Sequence, residues 1–279
     1  LEELNINDNA LLTNFVAELY RTFHANNMYV TQDIATFNED YDLQQLARYN
    51  DYLFLMAYDE HNSTSAAGDV ASQHWIERAT DWAAKNIPND KLVLGLASYG
   101  YDWAADGQCN TVSYDQAIAN AYGNDSQIYF DDDTYNLSYS YYDDDNELHK
   151  VSFTDAVTTF NNMRFGTTYH LAGFSLWRLG TEDSRLWNFY GKDMSWEQVK
   201  RWDLNNIFAL SGYNDVNYVG SGEVLSVQSE PHPGKVAISV DNDDELVEEE
   251  KYLALPSAYT VKKLGHCGPK DLILTFDDG

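Results

Sequence analysis

The chain has 279 residues with 17 basic and 45 acidic side chains, a formal net charge of −28, which excludes a nucleic-acid partner because phosphate binding needs a basic footprint. Apolar residues make up 44% and aromatics 14%, including 21 Tyr and 7 Trp, enough to build one large α/β domain or two ordinary ones. There is no Cys-x-x-Cys pair, no Cys/His ligand spacing and no apolar run of membrane-spanning length.

After LEEL at Leu1–Leu4, the residues Leu12, Phe15, Val16, Leu19, Tyr20 and Phe23 recur at helical spacing and predict an amphipathic helix. Asp8 or Asn9 caps it, Asn26 and Asn27 end it, and a short strand follows at Met28–Thr31. A short helix near Leu43–Arg48 leads into Asp51–His61, DYLFLMAYDEH. Its continuous apolar run reads as a strand buried on both faces, as parallel strands are. The polar cluster Tyr58, Asp59, Glu60 and His61 then falls at the strand's carboxyl end, where α/β sheets and barrels hold ligands. Capping of the next element is the competing reading of Tyr58 and Asp59.

The loop Asn62–Gly68 precedes a second helix with Trp75, Ile76, Ala79, Trp82 and Ala83 on one face, broken at Pro88. Lys91–Ala97 is another buried strand and runs into Tyr99, Gly100, Tyr101, Asp102 and Trp103. This alternation predicts parallel strands with helical crossovers. Between Asn110 and Val151 the rhythm changes: Ile128–Phe130, Leu137–Tyr142 and Leu148–Phe153 read as an antiparallel insertion with acidic turns. Thr154 caps a helix reaching about Met163, and Leu171–Trp177 is one more buried strand. Glu182 and Asp183 read as helix caps, and Tyr101 and Trp103 as packing residues. Beyond Lys192 come a short helix at Ser195–Arg201, short strands across Val216–Val240, an acidic loop at Asp241–Glu250 and a fresh strand at Lys270–Phe276. Cys109 and Cys267 either pair or remain free thiols.

Four pieces in order, LEEL, LMAYDEH (Leu55–His61), LGLASYGYDW (Leu94–Trp103) and GFSLWRLGTED (Gly173–Asp183), resemble glycoside hydrolase family 18, the chitinases and related N-acetylglucosaminidases. MAYDEH and YGYDW look most like the branch of spore-cortex and other peptidoglycan-trimming enzymes. The resemblance covers about Leu1 to Phe189. It implies a partial (β/α)8 TIM barrel, strands four to eight, over residues 1–192, with an antiparallel β insertion at about 110–153 and a β-rich linker region at 193–268. It also implies that Glu2, the end of a D-x-x-D-x-D-x-E strand, is the catalytic acid, with Glu3 as the competing choice. Family 18 catalysis is substrate-assisted rather than a two-carboxylate scheme. Tyr58 would then donate to the substrate acetamide carbonyl, Asp59 would hold a sugar hydroxyl or the surroundings of Tyr58, Trp177 would floor the site, and Met56 and Tyr99 would line its walls. The glycosidase part needs no cofactor.

The last five residues, TFDDG at Thr275–Gly279, resemble the first motif of the NodB-type polysaccharide deacetylases and place the start of such a domain at 269–279. This resemblance implies Asp277 as general base, Asp278 as metal ligand, and Zn²⁺ or a similar divalent ion for a complete domain. Together the two resemblances imply a bifunctional protein of the cell envelope or exterior acting on N-acetylglucosamine polymers. Any membrane contact would lie in regions outside this chain, and the fragment alone would be inactive. The alternatives are a lectin-like barrel that binds glycan without cleaving it, and a structural segment of a polysaccharide synthesis and export protein.

Overall fold

The computed structural model describes residues 8–211, 216–243 and 245–265. Helix α1 (Asn9–His24) turns Leu12, Val16 and Ala17 into the core, as its apolar spacing dictates. Asp8 occupies its N-cap position without a side-chain cap bond. Strand β1 is Thr31–Ala35, later than the strand placed at Met28–Thr31. The reason lies in Asp51, whose carboxylate accepts the Val30 amide at 2.7 Å while its own N–H donates to the Val30 carbonyl at 2.8 Å. That clasp fixes the entry, and the ladder begins one residue on, with Thr31 opposite Tyr52.

Helix α2 (Leu43–Leu46), capped by Asp42, precedes β2 (Tyr52–Met56). Helix α3 (Gln73–Ala84) begins at Ser72, whose hydroxyl accepts the Trp75 amide, and leads to β3 (Leu92–Ala97), buried along its whole length. The insertion starts earlier than expected, with β4 (Gly100–Ala104) and β5 (Cys109–Val112). It also holds a helix where only strands were expected, α4 (Tyr114–Gly123), begun by a capping box of Ser113 and Gln116. Strands β6 (Tyr129–Phe130), β7 (Leu137–Tyr142) and β8 (Leu148–Phe153) complete an antiparallel sheet in the order β5-β4-β8-β7-β6.

Helix α5 (Ala156–Thr168) is capped by Asp155 rather than Thr154. The Thr154 hydroxyl is spent instead on the Ala97 and Tyr99 carbonyls, tying the insertion to the end of β3. Strand β9 (Gly173–Trp177) then joins the parallel sheet, whose order is β1-β2-β3-β9. Ile34, Leu53, Leu55, Leu92, Leu94 and Leu96 are fully buried in its core. In register across the sheet, Ala35 meets Met56, Met56 meets Gly95 and Gly95 meets Ser175, so these four form one row on the same face. Gly95 is required there, since a Cβ would stand 2.7 Å from the Leu55 carbonyl oxygen.

Short helices α6 (Trp196–Val199) and α7 (Leu204–Ile207) precede strands β10 (Val216–Gly220), β11 (Val224–Ser229), β12 (Lys235–Asp241), β13 (Leu246–Ala254) and β14 (Tyr259–Leu264). The acidic loop expected over Asp241–Glu250 is largely strand instead. β13 starts at Leu246, Val247 is fully buried, and the Asn161 side chain bonds both its amide and its carbonyl at 2.9 Å. Glu250, far from solvated, lies inside the protein against Arg185 at 3.1 Å. Among the described residues no helix is long and apolar enough to cross a membrane.

Candidate functional site

The carboxyl ends of β1, β2 and β9 open on one cleft of about 580 Å³ lined by Met56, Tyr58, Asp59, Gly95, Ser175 and Trp177, with Asp33, Ala35 and Thr36 on its far side. That volume is in the range of small-ligand sites. β2 ends at Met56, and three residues later Asp59 adopts a left-handed backbone, φ 65°, which a short polar side chain tolerates. The turn leaves Tyr58 and Asp59 both half-buried at the mouth.

The Tyr58 ring lies nearly parallel to that of Trp177, 18° between planes and 6.4 Å between centroids. Trp177 is 56% exposed, an indole face open to the cleft, and the Trp177–Arg178 peptide is cis. Tyr99 meets Tyr58 edge-on at 6.4 Å. The Tyr99 hydroxyl donates to Asp59 Oδ1, and the Tyr101 hydroxyl donates to the same oxygen at 2.9 Å. Two phenols therefore fix one carboxylate oxygen and leave the other available. Burial, and then the bond to Asp59, raises both phenols well above their ordinary value, so both remain donors.

The sequence-predicted residues Met56, Tyr58, Asp59 and Trp177 thus meet in one cleft. Tyr99 does not form its wall: it is 4% exposed and stands behind Asp59. Tyr101, expected as a packing residue, shares the hold on Asp59. The signal was available, because Tyr99 and Tyr101 stand two apart in an extended segment and so face the same way. Asp33 and Ser175, also on the cleft, carried no sequence signal. His61 is taken up locally, Nδ1 bonding the Asp69 carbonyl at 3.0 Å, with its ring packed so closely on Gly68 that a Cβ there would come within 2.6 Å. Asp183 caps the turn Ser184–Asn188, as its position predicted. Glu2, Glu3, Cys267, Asp277 and Asp278 lie outside the described residues. Among the described residues the His and carboxylate groups that could gather a cation lie on the insertion, away from this cleft.

Residues 3–182 match the family described as Glycosyl hydrolases family 18. The chain is 25% identical over 197 residues to the "Uncharacterized glycosylase YvbX" of Bacillus subtilis, covering 67% of this chain and 57% of that protein. It is 26% identical over 200 residues to the "Cortical fragment-lytic enzyme" of the same organism, covering 67% of this chain and 46% of that protein. It therefore spans about half the length of the curated relatives it matches. Among solved structures it is similar to the chitinase of Chromobacterium violaceum, with a TM-score of 0.63 and 29% identity over 66% of this chain and 61% of that one.

Proposed function

From the premise that this chain belongs to the glycosyl hydrolases of family 18, with the α/β barrel-like fold of its structural relatives, we propose that it forms part of a retaining β-N-acetylglucosaminidase. The substrate class is a β-1,4-linked polymer containing N-acetylglucosamine, of the peptidoglycan or chitin type, met outside the cell or in its envelope. One observation supports the reading: Tyr58 and Trp177 flank a cleft whose lining carboxylates, among the described residues, are Asp33 and Asp59, the latter held by two phenols. That set offers an orienting hydroxyl, a held carboxylate and a stacking floor, which suits substrate-assisted cleavage.

In this mechanism the apolar face of a pyranose packs on the Trp177 indole. The Tyr58 hydroxyl donates to the acetamide carbonyl oxygen, aligning it on the anomeric carbon as the leaving oxygen departs. Glu2 protonates that oxygen, and the same carboxylate then takes a proton from the water that opens the cyclised intermediate. Asp59, pinned through Oδ1, holds a sugar hydroxyl or steadies Tyr58. The names of the cortical fragment-lytic relatives favour a peptidoglycan-type glycan over chitin.

The test is turnover of N-acetylated glycan oligomers by the full-length gene product. Glu2→Gln should abolish cleavage and leave binding intact, with a loss of about 10² to 10⁴ or more. Tyr58→Phe should lower kcat without altering thermal unfolding. If Glu2→Gln keeps activity while Glu3→Gln loses it, the acid is Glu3. If both keep it, neither is the acid and this assignment fails; a wild-type product that binds the oligomers without cleaving them would replace the glycosidase reading with a glycan-binding barrel.

A second motif supports a further proposal, that the domain starting at 269–279 is a NodB-type deacetylase with Asp277 as base and Asp278 as metal ligand. A catalytic zinc takes three protein ligands, and Asp278 would supply one of them. Acetate release by the full-length product should therefore vanish in Asp278→Ala, and unchanged release in that variant would remove the assignment.

A further inference from the structure

The turn joining β7 to β8 brings together three side chains of metal-ligating type. Asp143, Glu147 and His149 are each half-buried, and one ligand atom from each lies within 4.8 Å of the others. His149 Nε2 and Asp143 Oδ2 are 3.6 Å apart, close to the roughly 3.4 Å edge of a tetrahedral site with bonds of about 2.1 Å.

The orientation of these groups comes from partners outside the turn as well as within it. His149 Nδ1 lies 2.8 Å from Oδ1 of Asp102, a buried residue of the neighbouring strand β4. With Nδ1 turned to Asp102, the second ring nitrogen, Nε2, faces Asp143 and is the atom placed to ligate. A carboxylate behind a histidine in this way is the usual support of a metal-ligating imidazole. The Tyr141 hydroxyl donates to the second oxygen of Asp102 at 2.7 Å, and the Tyr141 ring stacks on His149 at 4.7 Å and 25°. Asp143 Oδ1 is occupied by the amides of Asp145 and Glu147 at 3.0 and 2.7 Å, and Glu147 Oε1 by the amide of Asp106. Each carboxylate thus has one oxygen anchored and the other available.

We propose that Asp143, Glu147 and His149 form a site for a divalent cation of the zinc class, completed by water and supported by Asp102. One imidazole nitrogen with two carboxylate oxygens favours a borderline transition ion over Ca²⁺ or Mg²⁺, which take all-oxygen sets. The ion would clasp the β7–β8 turn to the β4–β5 turn through the Asp106–Glu147 contact, stiffening the insertion. The run Asp131–Asp133 makes a useful contrast: all three are exposed and none is a histidine.

The experiment is zinc titration of the chelator-treated protein by calorimetry, with Co²⁺ absorption as a second readout. One equivalent should bind with an affinity that His149→Gln and Glu147→Gln each weaken at least tenfold and that Asp278→Ala leaves unchanged. Asp102→Asn, which disturbs only the support, should weaken it about 10- to 100-fold. Asp132→Asn should change nothing. Glu147 lies on the turn, so its variant tests the site even if His149→Gln folds poorly, with circular dichroism as the check. Absence of stoichiometric zinc, or equal affinity in wild type, His149→Gln and Glu147→Gln, would overturn the site. Displacement of zinc by equimolar Ca²⁺ would overturn the choice of metal.

Discussion

Asp59 is held by two hydroxyls that come from neither its own strand nor its own turn. Tyr99 precedes β4 and Tyr101 is part of it, and both bond Oδ1 of Asp59. A hydrogen bond to a charged group contributes about 1.5–3 kcal/mol when its loss strands the partner. Tyr99→Phe and Tyr101→Phe should therefore each lower kcat of the full-length product about tenfold or more, with little change in KM, since neither ring presents a surface to substrate. Steady-state kinetics beside a thermal melt separates this from simple destabilisation. Equal loss in kcat and in melting temperature would mark the pair as structural only. Trp177 should behave in the opposite way, with Trp177→Ala raising KM, because its exposed face is contact area.

Strand β3 shows how one element constrains a site that it barely touches. It is buried throughout, and its Gly95 sits between Met56 and Ser175 in the cleft row. A methyl group at Gly95 would meet the Leu55 carbonyl at 2.7 Å and the Tyr58 ring at 3.4 Å. The first is main chain and cannot rotate away, so β2 and β3 would have to part. Gly95→Ala should cost about 1–3 kcal/mol, as overpacked cores do, measured by urea unfolding, and should perturb turnover through Tyr58. Gly173, where a Cβ meets nothing within 4 Å, is the control. A Gly95→Ala protein as stable as Gly173→Ala would refute the argument.

Across the whole molecule, Arg185 is the tie between the parallel sheet's helices and the C-terminal strands. Fully enclosed, it donates to Asp183 and Asp155 at 2.8 Å, to the Tyr252 hydroxyl at 2.9 Å, to the Phe208 carbonyl at 2.9 Å and to Glu250 at 3.1 Å. Removing one member of a buried charge cluster typically costs about 3–5 kcal/mol, so Arg185→Ala should unfold the chain or release β13. Three carboxylates face one guanidinium, and burial, followed by the neighbouring Asp155, pushes Glu250 well above its ordinary value of 4.5. A raised value means the folded state keeps a proton that the unfolded state releases. Stability from this group is therefore present below about pH 4.5 and is lost as pH rises towards the folded value. Glu250→Gln mimics the protonated form, so its stability relative to wild type should grow with pH above about 4.5. Chemical unfolding at several pH values checks this, and a difference independent of pH would show Glu250 to be ionised.

What the sequence determined by itself was whatever one short segment encodes. Leu92–Ala97 was legible as a strand because a buried parallel strand is a continuous apolar run; Gly173–Trp177 was legible by the same run, although it is only partly buried; and the switch of polarity at Tyr58–Asp59 marked a strand's carboxyl end, where the structure opens a cleft. β1 was harder to place, since its Asp33 faces the cleft and interrupts the apolar pattern. The tertiary structure alone decided the contacts between distant segments. The charges in Asp241–Glu250 read as a solvated loop because their compensation comes from Arg185, which is 65 residues from Glu250, and from Arg164, which pairs with Glu245. His149 carried no ligand spacing in the sequence beyond its own turn because its support, Asp102, is 47 residues away. Tyr101 was read as packing because the carboxylate it holds is 42 residues distant. Periodicity records which face of an element is apolar, whereas a charge or hydroxyl is assigned only by the partner that folding brings to it.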